Sequence, residues 1–583
     1  MTGSPRIELK CRKGKEGAHV MARTIGIGIQ SFEKIINSNC FYIDKTDFIR
    51  EWWENRDDVT LITRPRRFGK TLNMNMLERF LSIEYAGQGQ IFEGLSIWKD
   101  EKNREIQGTW PVISISFANV KESSYEKTRY RMNQILMKLY SRNRFLLEGD
   151  LLAPAEKDYF NRIGENMIEE DATMSIHNLS DFLSRYYKKK VIILLDEYDT
   201  PMQEAYVNSY WEELAAFTRN LFHASFKTNP YLERAVMTGI TRVGKESVFS
   251  DLNNLEVVTA TSEKYKDSFG FTQEEVFAAL DEFSLSDRRE EVKNWYDGFV
   301  FGNRADIYNP WSILNYLDKK KPGAYWANTS SNNLVGKLIR EGSTEIKMVM
   351  EQLLQGETLH TALDEQIVFS QLDQGNEAVW SLLLASGYLT AIHSELNMDR
   401  LEMEYDLKLT NTEVRFMFLQ MIRGWFGGCR REKNAFVQAL LSGDLDGMNE
   451  YMNEVSGQLF SSFDTGKKPS EKAQPERFYH GFVLGLIVEL QDRYMILSNR
   501  ESGLGRYDIM LEPREKNQDA FIIEFKVIHT KRRETLEDGV QSALAQIEEK
   551  QYEAVLRSRG ILPERIKKYG FAFEGSRVLI GEG

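Results

Sequence analysis

Apolar residues follow two patterns in the first 265 positions of the chain. Uninterrupted short runs are typical of buried strands, and stretches with an apolar residue every three or four positions are typical of helices. Four strand-like runs stand at 59–63, 111–117, 191–195 and 234–238, with helix-like stretches at 72–81, 126–146 and 211–226. Because strands and helices alternate, residues 25–265 are predicted to form a doubly wound α/β domain around a parallel sheet.

Helical periodicity dominates a second region, from residue 266 to about residue 460. Thr272 and Glu275 have the spacing of an N-cap and its capping-box partner, which predicts a helix start. Two strand-like segments, 387–392 and 405–409, interrupt the helices. The order helix, hairpin, helix predicts a winged-helix-like region. No dense Lys/Arg stripe is present, which favours packing or partner binding over DNA binding.

The last quarter of the chain begins after a polar segment, residues 461–475, whose composition predicts a linker. A mostly apolar helix at 478–489 is followed by strand-like segments at 494–497, 506–511 and 520–526, and then by a helix near 536–551. This pattern predicts a separate, smaller α/β domain over residues 476–583.

The residues between the first strand and its helix, Arg64-Pro-Arg-Arg-Phe-Gly-Lys-Thr71, are called the 64–71 loop below. A strand, a tight loop ending in Gly-Lys-Thr and a helix form the arrangement that cradles nucleotide phosphates. Lys70 is expected to reach the β- and γ-phosphates, and the Thr71 hydroxyl to hold Mg²⁺. The nucleotide-binding residues predicted here are Arg67, Phe68, Gly69, Lys70, Thr71 and Leu72. Arg64 stands where the general pattern has Gly, so a basic turn before an amphipathic helix is the alternative.

A second element of the same site is predicted at the end of the run 191–195, where Asp196 and Glu197 follow five apolar residues. Carboxylates at the end of a buried strand are costly unless they serve a cation. Asp196 fits a Mg²⁺-linked position and Glu197 a general base that orients water. A solvated acidic turn is the alternative. Thr238 is predicted to sense the γ-phosphate, and Arg242 to stabilise transition-state charge or to be a surface residue.

The strand 520–526 carries the candidate chemistry of the C-terminal domain. Alternation places Glu524 and Lys526 on one face of this strand, and Asp508 is expected in an adjacent strand. Two carboxylates can bind Mg²⁺ or Mn²⁺, which activates water for phosphodiester cleavage. Lys526 would assist that water or steady charge, and Gln546 would hold the lysine or the water. His480 would add a metal ligand or position the substrate. A Glu–Lys ion pair in the strand is the alternative.

Length, composition and charge narrow the class of protein. The chain has 583 residues, which is too long for one core and predicts about three domains. The net charge of −12 argues against a surface covered in basic residues, although a local basic groove is compatible with it. No apolar run approaches 18 residues, so no membrane is expected as a partner. The three cysteines, Cys11, Cys40 and Cys429, lie far apart, which favours a reducing cytoplasm.

Residues 1–24 are predicted to be a basic and disordered tail, since the first 20 residues are polar and aperiodic. They contain no apolar core of a secretory signal. Met21 begins a more regular segment, and translation from Met21 is the alternative.

Taken together, these motifs resemble a bacterial family of AAA-ATPase-like proteins that carry a C-terminal PD-(D/E)XK nuclease domain. The resemblance covers the chain from about residue 25, and the family also carries Arg at the first position of the 64–71 loop. It implies a P-loop NTPase domain of the AAA/STAND-like kind and a restriction-endonuclease-like fold. The matching motifs are Gly26-Ile-Gly-Ile-Gln30-Ser-Phe32, Phe41-Tyr-Ile-Asp-Lys45-Thr46, the 64–71 loop, Leu195-Asp-Glu-Tyr-Asp199, Phe478-Tyr-His-Gly481, Ser498-Asn-Arg-Glu-Ser502 with Gly505-Arg-Tyr-Asp508, and Glu524-Phe-Lys526.

The function expected from these features is that of a cytoplasmic enzyme that binds and hydrolyses ATP with Mg²⁺ and cuts nucleic acid with Mg²⁺ or Mn²⁺. DNA is favoured over RNA as the substrate, and a second copy of the chain or a partner protein is left open. One alternative is a nucleotide-switched regulator that holds nucleic acid or protein without cutting it. Another is an ATPase motor or assembly factor with a structural C-terminus.

Overall fold

The fold is taken from a computed structural model of the chain. It describes residues 23–242, 248–249, 252–326, 335–336, 338–339, 344–363, 376–426, 435–463, 483–484, 486–487, 490, 493–498, 501–502, 505–506, 508, 509–528, 534–574 and 577–583. His480, most of the predicted helix 478–489 and positions 464–475 of the predicted linker lie outside these residues, as does the predicted tail up to residue 22.

The N-terminal part is built on a parallel sheet with the strand order β2, β3, β4, β1, β5. The strands are β1 (Val59–Thr63), β2 (Val112–Ser116), β3 (Val191–Asp196), β4 (Leu232–Gly239) and β5 (Leu255–Val258). β1 and β3 are buried along their whole length, which explains why they read as continuous apolar runs. The four strands predicted from the sequence are confirmed, and β5 was not predicted.

Helices cover both faces of this sheet. Along β3, Ile193 and Leu195 pack into one apolar cluster, and Ile192 and Leu194 pack into another, because neighbouring side chains of a strand point to opposite faces. The α-helices of this part are Phe32–Asn37, Asp47–Asn55, Lys70–Leu81, Glu101–Ile106, Tyr125–Arg142, Pro154–Arg162, Glu169–Tyr187, Thr200–Val207 and Trp211–Phe222. Short helical turns of other types span Ile83–Tyr85, Gly89–Phe92, Ser96–Lys99, Arg144–Leu147 and His223–Lys227.

The middle of the chain contains two small antiparallel sheets with helices around them. The first has the order β6 (Phe271–Thr272), β8 (Arg304–Tyr308), β7 (Phe299–Phe301), and the second the order β10 (Leu389–Asn397), β11 (Glu402–Leu409), β9 (Leu359–Ala362). The helices are Gln273–Glu282, Arg289–Tyr296, Pro310–Lys319, Thr344–Leu354, Asn376–Ala385 and Thr412–Phe426, with a short turn at Ser286–Arg288. Thr272 and Glu275 form the expected capping box. The predicted hairpin is present as β10 and β11, and the winged-helix assignment stays a prediction.

The C-terminal part has a mixed sheet with the order β12, β15, β16, β17, β18, in which only the pair β16 and β17 is parallel among the described strands. The helix Leu536–Glu549 connects that parallel pair. The strands are β12 (Tyr494–Ser498), β13 (Glu501–Ser502), β14 (Gly505–Arg506), β15 (Ile509–Pro513), β16 (Ala520–Val527), β17 (Ile566–Glu574) and β18 (Arg577–Glu582). β13 and β14 form a separate two-stranded ribbon, and the helical segments Ala554–Ser558 and Pro563–Arg565 precede β17.

Two helices that the sequence assigned to the middle region, Ala435–Ser442 and Leu445–Phe463, pack on the C-terminal sheet instead. Phe436 and Met452 belong to the same apolar cluster as residues of β15, β16 and β17. The Asn453 amide bonds both the N–H and the C=O of Val578, at 2.9 and 2.7 Å, so the helix covers the edge of β18. Residues 435–463 therefore pack with the C-terminal sheet, the helix continues through residue 463, and the domain boundary at residue 460 stays a prediction.

The segment before the first sheet strand is shared between the N-terminal and middle parts. Phe41 lies in an apolar cluster with Phe271 and Val276, and Lys45 forms a 2.7 Å ion pair with Glu275. Arg23 makes a two-pronged contact with the carboxylate of Glu282. Packing and charge thus cross the predicted boundary at residue 265.

Within the described residues, no helix combines the length and the apolar character needed to cross a bilayer.

Candidate functional site

The 64–71 loop has a backbone shape that directs N–H groups towards one place. Arg67 and Gly69 have positive φ angles of 65° and 83°, and Gly69 is the N-cap of the helix Lys70–Leu81. Alternation of left-handed residues with their neighbours gives a concave nest of N–H groups, and the helix N-terminus adds its own free donors. The loop is therefore suited to an anion.

Lys70 is buried at the base of this loop, and its ammonium donates to the carbonyls of Arg64 and Pro65, both at 2.9 Å. Burial lowers the pKa of Lys70, while the charges of Glu197, Asp199 and Asp196 act in the opposite direction. The lysine is held inside the loop and faces an acidic wall across from it.

The Thr71 hydroxyl meets the acidic end of β3, although 125 residues separate the two in sequence. It donates to Asp196 Oδ2 at 2.8 Å, and Thr238 donates to Asp196 Oδ1 at 2.5 Å. Burial raises the pKa of Asp196, and the two hydroxyl donors oppose that rise. Thr238 is fully buried. The Thr238 hydroxyl therefore orients the Asp196 carboxylate by bonding Oδ1, the oxygen that Thr71 does not contact.

Glu197 and Asp199 follow in a tight turn after β3. Glu197 has a positive φ of 52°, its carboxylate accepts from the Thr200 hydroxyl at 3.1 Å, and it lines the cavity described below. Asp199 is buried and accepts from the N–H groups of Ile240 and Thr241, both at 2.9 Å. Asp199 thus fixes the end of β4 beside the acidic turn.

A cavity of about 520 Å³ opens in front of the loop. Residues of the 64–71 loop and the first turn of its helix line one side, together with Glu197, Thr200 and Gln203. The opposite side is formed by the segment 26–43 and by Pro310, Trp311 and Leu314 of the middle region. Both polar and apolar residues line the cavity, and its volume suits a nucleotide.

Residues of the middle region also pack against the side chains of the 64–71 loop. Phe68 is buried in the middle-region core, with its ring 4.8 Å from that of Phe299. The Arg67 guanidinium lies over the Trp311 ring at 4.4 Å. Both predicted nucleotide-binding residues line the cavity, and the Phe68 ring is buried against aromatic rings of the middle region.

Arg64, the residue that departs from the general phosphate-loop pattern, is turned away from the cavity. Its fully buried guanidinium donates to the carbonyls of Thr63 and Thr259 at 2.9 and 2.6 Å and lies over the Phe301 ring at 4.4 Å. Burial lowers the pKa of Arg64 to about 9. The side chain joins the sheet to the middle region, which explains how Arg can replace Gly here.

Arg242 does not lie with the other predicted nucleotide-binding residues. It lines a different and very small cavity with Thr63, Thr259 and Leu384, at the other side of β1. The predicted transition-state role of Arg242 would require a change in position or a second copy of the chain.

The C-terminal candidate site lies where β15 and β16 run side by side. Asp508 directly precedes β15 and accepts from the backbone N–H of Phe525 at 2.8 Å. Alternation along β16 is as predicted, since Phe525 packs in the sheet core while Glu524 and Lys526 point to the opposite face. Asp508, Glu524 and Lys526 are thus brought together in space.

Glu524 is the most perturbed group of this site. Its side chain is 3% exposed, and its Oε2 atom has no hydrogen-bond partner among the described residues. Burial, followed by the charge of Asp508, raises the pKa of Glu524 to about 8, while Lys526 acts in the opposite direction. A buried carboxyl with one free oxygen beside another carboxylate is a place where a cation would be stabilising.

Lys526 and Gln546 both contact the other oxygen of Glu524. The Lys526 ammonium donates to Oε1 at 3.3 Å, and the Gln546 amide donates to the same atom and to the Tyr552 hydroxyl. Gln546 was expected to hold the lysine or a water, and the structure gives its amide to Glu524. Gly570 lies beside Glu524 in the sheet, where a Cβ would sit 2.8 Å from the Val540 carbonyl, so this glycine lets the helix come close.

Two of the three metal ligands predicted for this site, Asp508 and Glu524, belong to the described residues. Asp508 and Glu524 supply hard oxygen atoms, which fit Mg²⁺ or Mn²⁺. Across the described part of the chain, no group of three or more His, Cys, Asp or Glu side chains is arranged to hold a metal ion. His480, the third ligand predicted, lies outside that part.

The sequence did not predict which residues far from the 64–71 loop along the chain also line the cavity. Trp311 belongs to the turn sequence Tyr308-Asn-Pro-Trp311, and Gln30 to a glycine-rich segment near the N-terminus. Both segments stand out by composition, but nothing in their local pattern says that they face the loop. Asn119 and Lys121, which follow β2, also line the cavity and carry only the general signal of polar residues after a parallel strand.

Comparisons with known proteins agree with this division into two chemical sites. Residues 26–249 match the family model described as "Predicted AAA-ATPase", and residues 474–583 match the model of the "PD-(D/E)XK nuclease superfamily". A protein of Azotobacter chroococcum mcd 1, named "Uncharacterized protein in vnfD 5'region", is 25% identical over 576 residues, which are 96% of this chain and 98% of the relative. The first match contains Lys70, Thr71 and Asp196, and the second contains Asp508, Glu524 and Lys526.

Proposed function

From a chain that joins an AAA-ATPase-like domain to a domain of the PD-(D/E)XK nuclease superfamily, we propose that this protein binds and hydrolyses ATP and cuts nucleic acid. Cleavage takes place at the C-terminal site, and nucleotide binding in the N-terminal domain controls it. The substrate proposed is DNA, and both reactions use a divalent cation.

The observation that carries the ATP half is the 2.8 Å bond between Asp196 and Thr71, which lines the cavity of about 520 Å³. In this proposal Lys70 and the N–H groups of the loop bind the β- and γ-phosphates, and Thr71 and Asp196 would hold Mg²⁺. Glu197, whose carboxylate lies at the cavity wall, orients the water and takes its proton.

The observation that carries the nuclease half is the buried Oε2 atom of Glu524 beside Asp508, which no side chain or backbone group in the described part of the chain bonds. These two carboxylates would hold Mg²⁺ or Mn²⁺, which supplies polarisation of the phosphate and acidification of water. Gln546 keeps the Glu524 carboxylate in place. Lys526, a half-buried cation next to that carboxylate, steadies negative charge on the phosphate as it develops.

The experiment that tests the proposal uses the full chain and supercoiled plasmid DNA. Plasmid is incubated with Mg²⁺ or Mn²⁺, with and without ATP, and nicking and ATP hydrolysis are measured in the same tubes. The expected result is cation-dependent nicking whose rate changes with ATP. The matched control is Glu512→Gln, a carboxylate in the neighbouring strand β15 that pairs with Arg559.

A nucleotide-switched regulator is the competing function, and one observation favours it. The raised pKa of Glu524 leaves this carboxyl largely protonated at neutral pH when no cation is bound. If the protein retards DNA in a gel and leaves it uncut under every cation condition, the regulator replaces the nuclease. If ATP hydrolysis is present and DNA neither shifts nor is cut, the C-terminal domain is structural.

A further inference from the structure

One carbonyl of the 64–71 loop is held by two side chains that belong to the middle region. The Arg66 C=O accepts from the indole N–H of Trp326 at 3.0 Å and from the amide of Asn309 at 3.3 Å. Asn309 lies 243 residues and Trp326 260 residues from Arg66 in the sequence. Neither residue belongs to the matched AAA-ATPase segment, which ends at residue 249.

The position of this carbonyl fixes the direction of the next N–H group. Peptide bonds in the described residues are trans, so the N–H of Arg67 points away from the side on which the Arg66 C=O is bound. Arg67 has a φ of 65°, which brings its N–H into the nest formed with Gly69. Arg66 to Asn73 line the cavity. A rotated Arg66 peptide would present an oxygen, which repels phosphate, where the nest needs a donor.

We propose that Asn309 and Trp326 are positioning residues for the phosphate-binding loop, supplied by the middle region, and that they set the affinity for the phosphate chain of the nucleotide. This inference rests on the proposed binding of ATP at the loop. It adds that the ATP site is incomplete without residues 309–326, so the arrangement of the middle region and the affinity for ATP depend on each other.

A buried carboxylate connects the two positioning residues to each other and to the helix Thr412–Phe426. Glu413 is fully buried and accepts from the backbone N–H of Trp326 at 2.6 Å and from the Ser312 hydroxyl at 2.7 Å. Ser312 in turn donates its backbone N–H to the Asn309 side chain. The helix that carries Glu413 ends at Phe426, nine residues before the first helix packed on the C-terminal sheet. A shift of the Arg66 peptide is therefore connected by hydrogen bonds to the helix Thr412–Phe426.

The decisive variant is Asn309→Asp. Asn309 has two roles, since its Oδ1 atom caps the helix Pro310–Lys319 by accepting from Trp311 N–H, and its amide holds the Arg66 carbonyl. Asp is an equally good helix cap, so the helix is kept. The amide donor, however, is replaced by an oxygen that repels the Arg66 carbonyl. We expect ATP and ADP to bind at least tenfold more weakly.

The chain offers a closely matched control in Asn411→Asp. Asn411 also caps a helix, by accepting from Val414 N–H at 3.0 Å, and its amide also donates to a distant carbonyl, that of Tyr296, at 3.1 Å. That carbonyl is not part of the loop. The same substitution there makes the same chemical change, and the affinity for ATP is expected to stay within about twofold of wild type.

The measurement is the dissociation constant of ATP and of ADP with Mg²⁺, obtained by calorimetric titration of the full chain, beside the unfolding temperature without nucleotide. Trp326→Phe is the second variant, because it removes one donor and leaves the helix cap untouched. A single neutral hydrogen bond corresponds to about a fivefold loss of affinity. If Asn309→Asp does not fold, Trp326→Phe decides the matter.

The outcomes separate this inference from the proposed function. Weaker nucleotide binding in Asn309→Asp and Trp326→Phe, with Asn411→Asp unchanged, supports it. Unchanged affinity in Asn309→Asp and Trp326→Phe, or an equal loss in Asn411→Asp, overturns it and leaves the proposed ATP site standing. A wild-type chain that binds no ATP overturns the proposed function and this inference with it.

Discussion

Asp196 and Glu524, one carboxylate from each acidic site, differ in how far hydrogen bonds satisfy their oxygens. At the N-terminal site, both oxygens of Asp196 accept from threonine hydroxyls and Lys70 is bound by loop carbonyls. At the C-terminal site, no described residue bonds the buried Oε2 atom of Glu524, and burial raises the pKa of this carboxyl to about 8. The Asp196 carboxylate is therefore held in place before a charged ligand binds. The Glu524 carboxyl is buried next to another carboxylate, and a bound cation would stabilise its charged form.

This difference follows from the elements that carry the residues. Asp196 ends a strand in the centre of a parallel sheet, where the neighbouring strand β4 and the loop after β1 both supply hydroxyl groups. Glu524 lies inside β16, whose own backbone groups are used in pairing with β15 and β17. Side chains therefore supply its contacts, Lys526 from the same strand and Gln546 from the helix Leu536–Glu549.

The largest effect is expected from Asp508→Ala, which removes one of the two carboxylates of the C-terminal site. DNA cleavage should fall by more than about 1000-fold, because metal-assisted activation of water contributes several kcal/mol to such reactions. Affinity for ATP should not change. Plasmid nicking and ATP titration on the same preparation provide the measurement.

Asp508→Asn is the control for that variant, since its side-chain oxygen can still accept from Phe525 N–H and preserve the local fold. Cleavage at the wild-type rate in either variant would show that the second site is not a nuclease site, and the comparison between the two sites would lose its basis.

A loss of about 100-fold or more in ATP turnover is expected from Glu197→Gln, because a positioned general base contributes that much to a hydrolysis step. The affinity for ATP should be kept, since the amide retains the shape of the side chain. Phosphate release under single-turnover conditions measures the effect. Glu204→Gln, another carboxylate that lines the cavity, is the matched control and should hydrolyse ATP at close to the normal rate. Equal rates in the two variants would argue against Glu197 as the base.

Lys70→Ala tests whether the N-terminal site serves phosphate. The ammonium is held by two carbonyls and faces three carboxylates, so its removal takes away the main positive charge of the loop. ATP affinity should fall by about 10- to 100-fold, which corresponds to charge-assisted hydrogen bonds of 1.5–3 kcal/mol. Titration with ATP measures it. Lys121→Ala, at the rim of the same cavity, should cost much less, and the reverse order would contradict the assignment.

The smallest expected effect tests directly whether the charge of Glu524 destabilises the C-terminal site. The folded pKa of Glu524, about 8, lies above its ordinary value of 4.5, so ionisation between these values destabilises the fold as pH rises. With a chelator present, Glu524→Gln should resist local opening of β16 more than wild type at pH 9, by on the order of 1–3 kcal/mol, and not at pH 5. Hydrogen exchange of the β16 amides measures this opening.

Glu512→Gln should show the opposite sign at pH 9, because Glu512 is paired with Arg559. An advantage of Glu524→Gln at pH 5 as large as at pH 9 would mean that packing, and not charge, explains the result.

Local patterns were sufficient for the strands, the loop and the acidic strand end. The runs that form β1 and β3 are apolar throughout because both faces of these strands are covered, and such burial leaves a direct mark on the sequence. Gly69 and Lys70 belong to one short segment, and the backbone shape of the 64–71 loop depends on residues within that segment. The alternation that separates Phe525 from Glu524 and Lys526 is likewise a property of the strand alone.

Contacts between distant segments were decided by the tertiary structure. The packing of Phe68 in the middle-region core, the turn of Arg64 away from the cavity and the bonds from Asn309 and Trp326 to Arg66 involve partners about 190 to 260 residues away. The placement of the helices 435–463 on the C-terminal sheet is of the same kind. A local pattern records that a side chain is buried or polar, because burial selects the residue type. It does not record which partner it meets, because many partners satisfy the same chemistry.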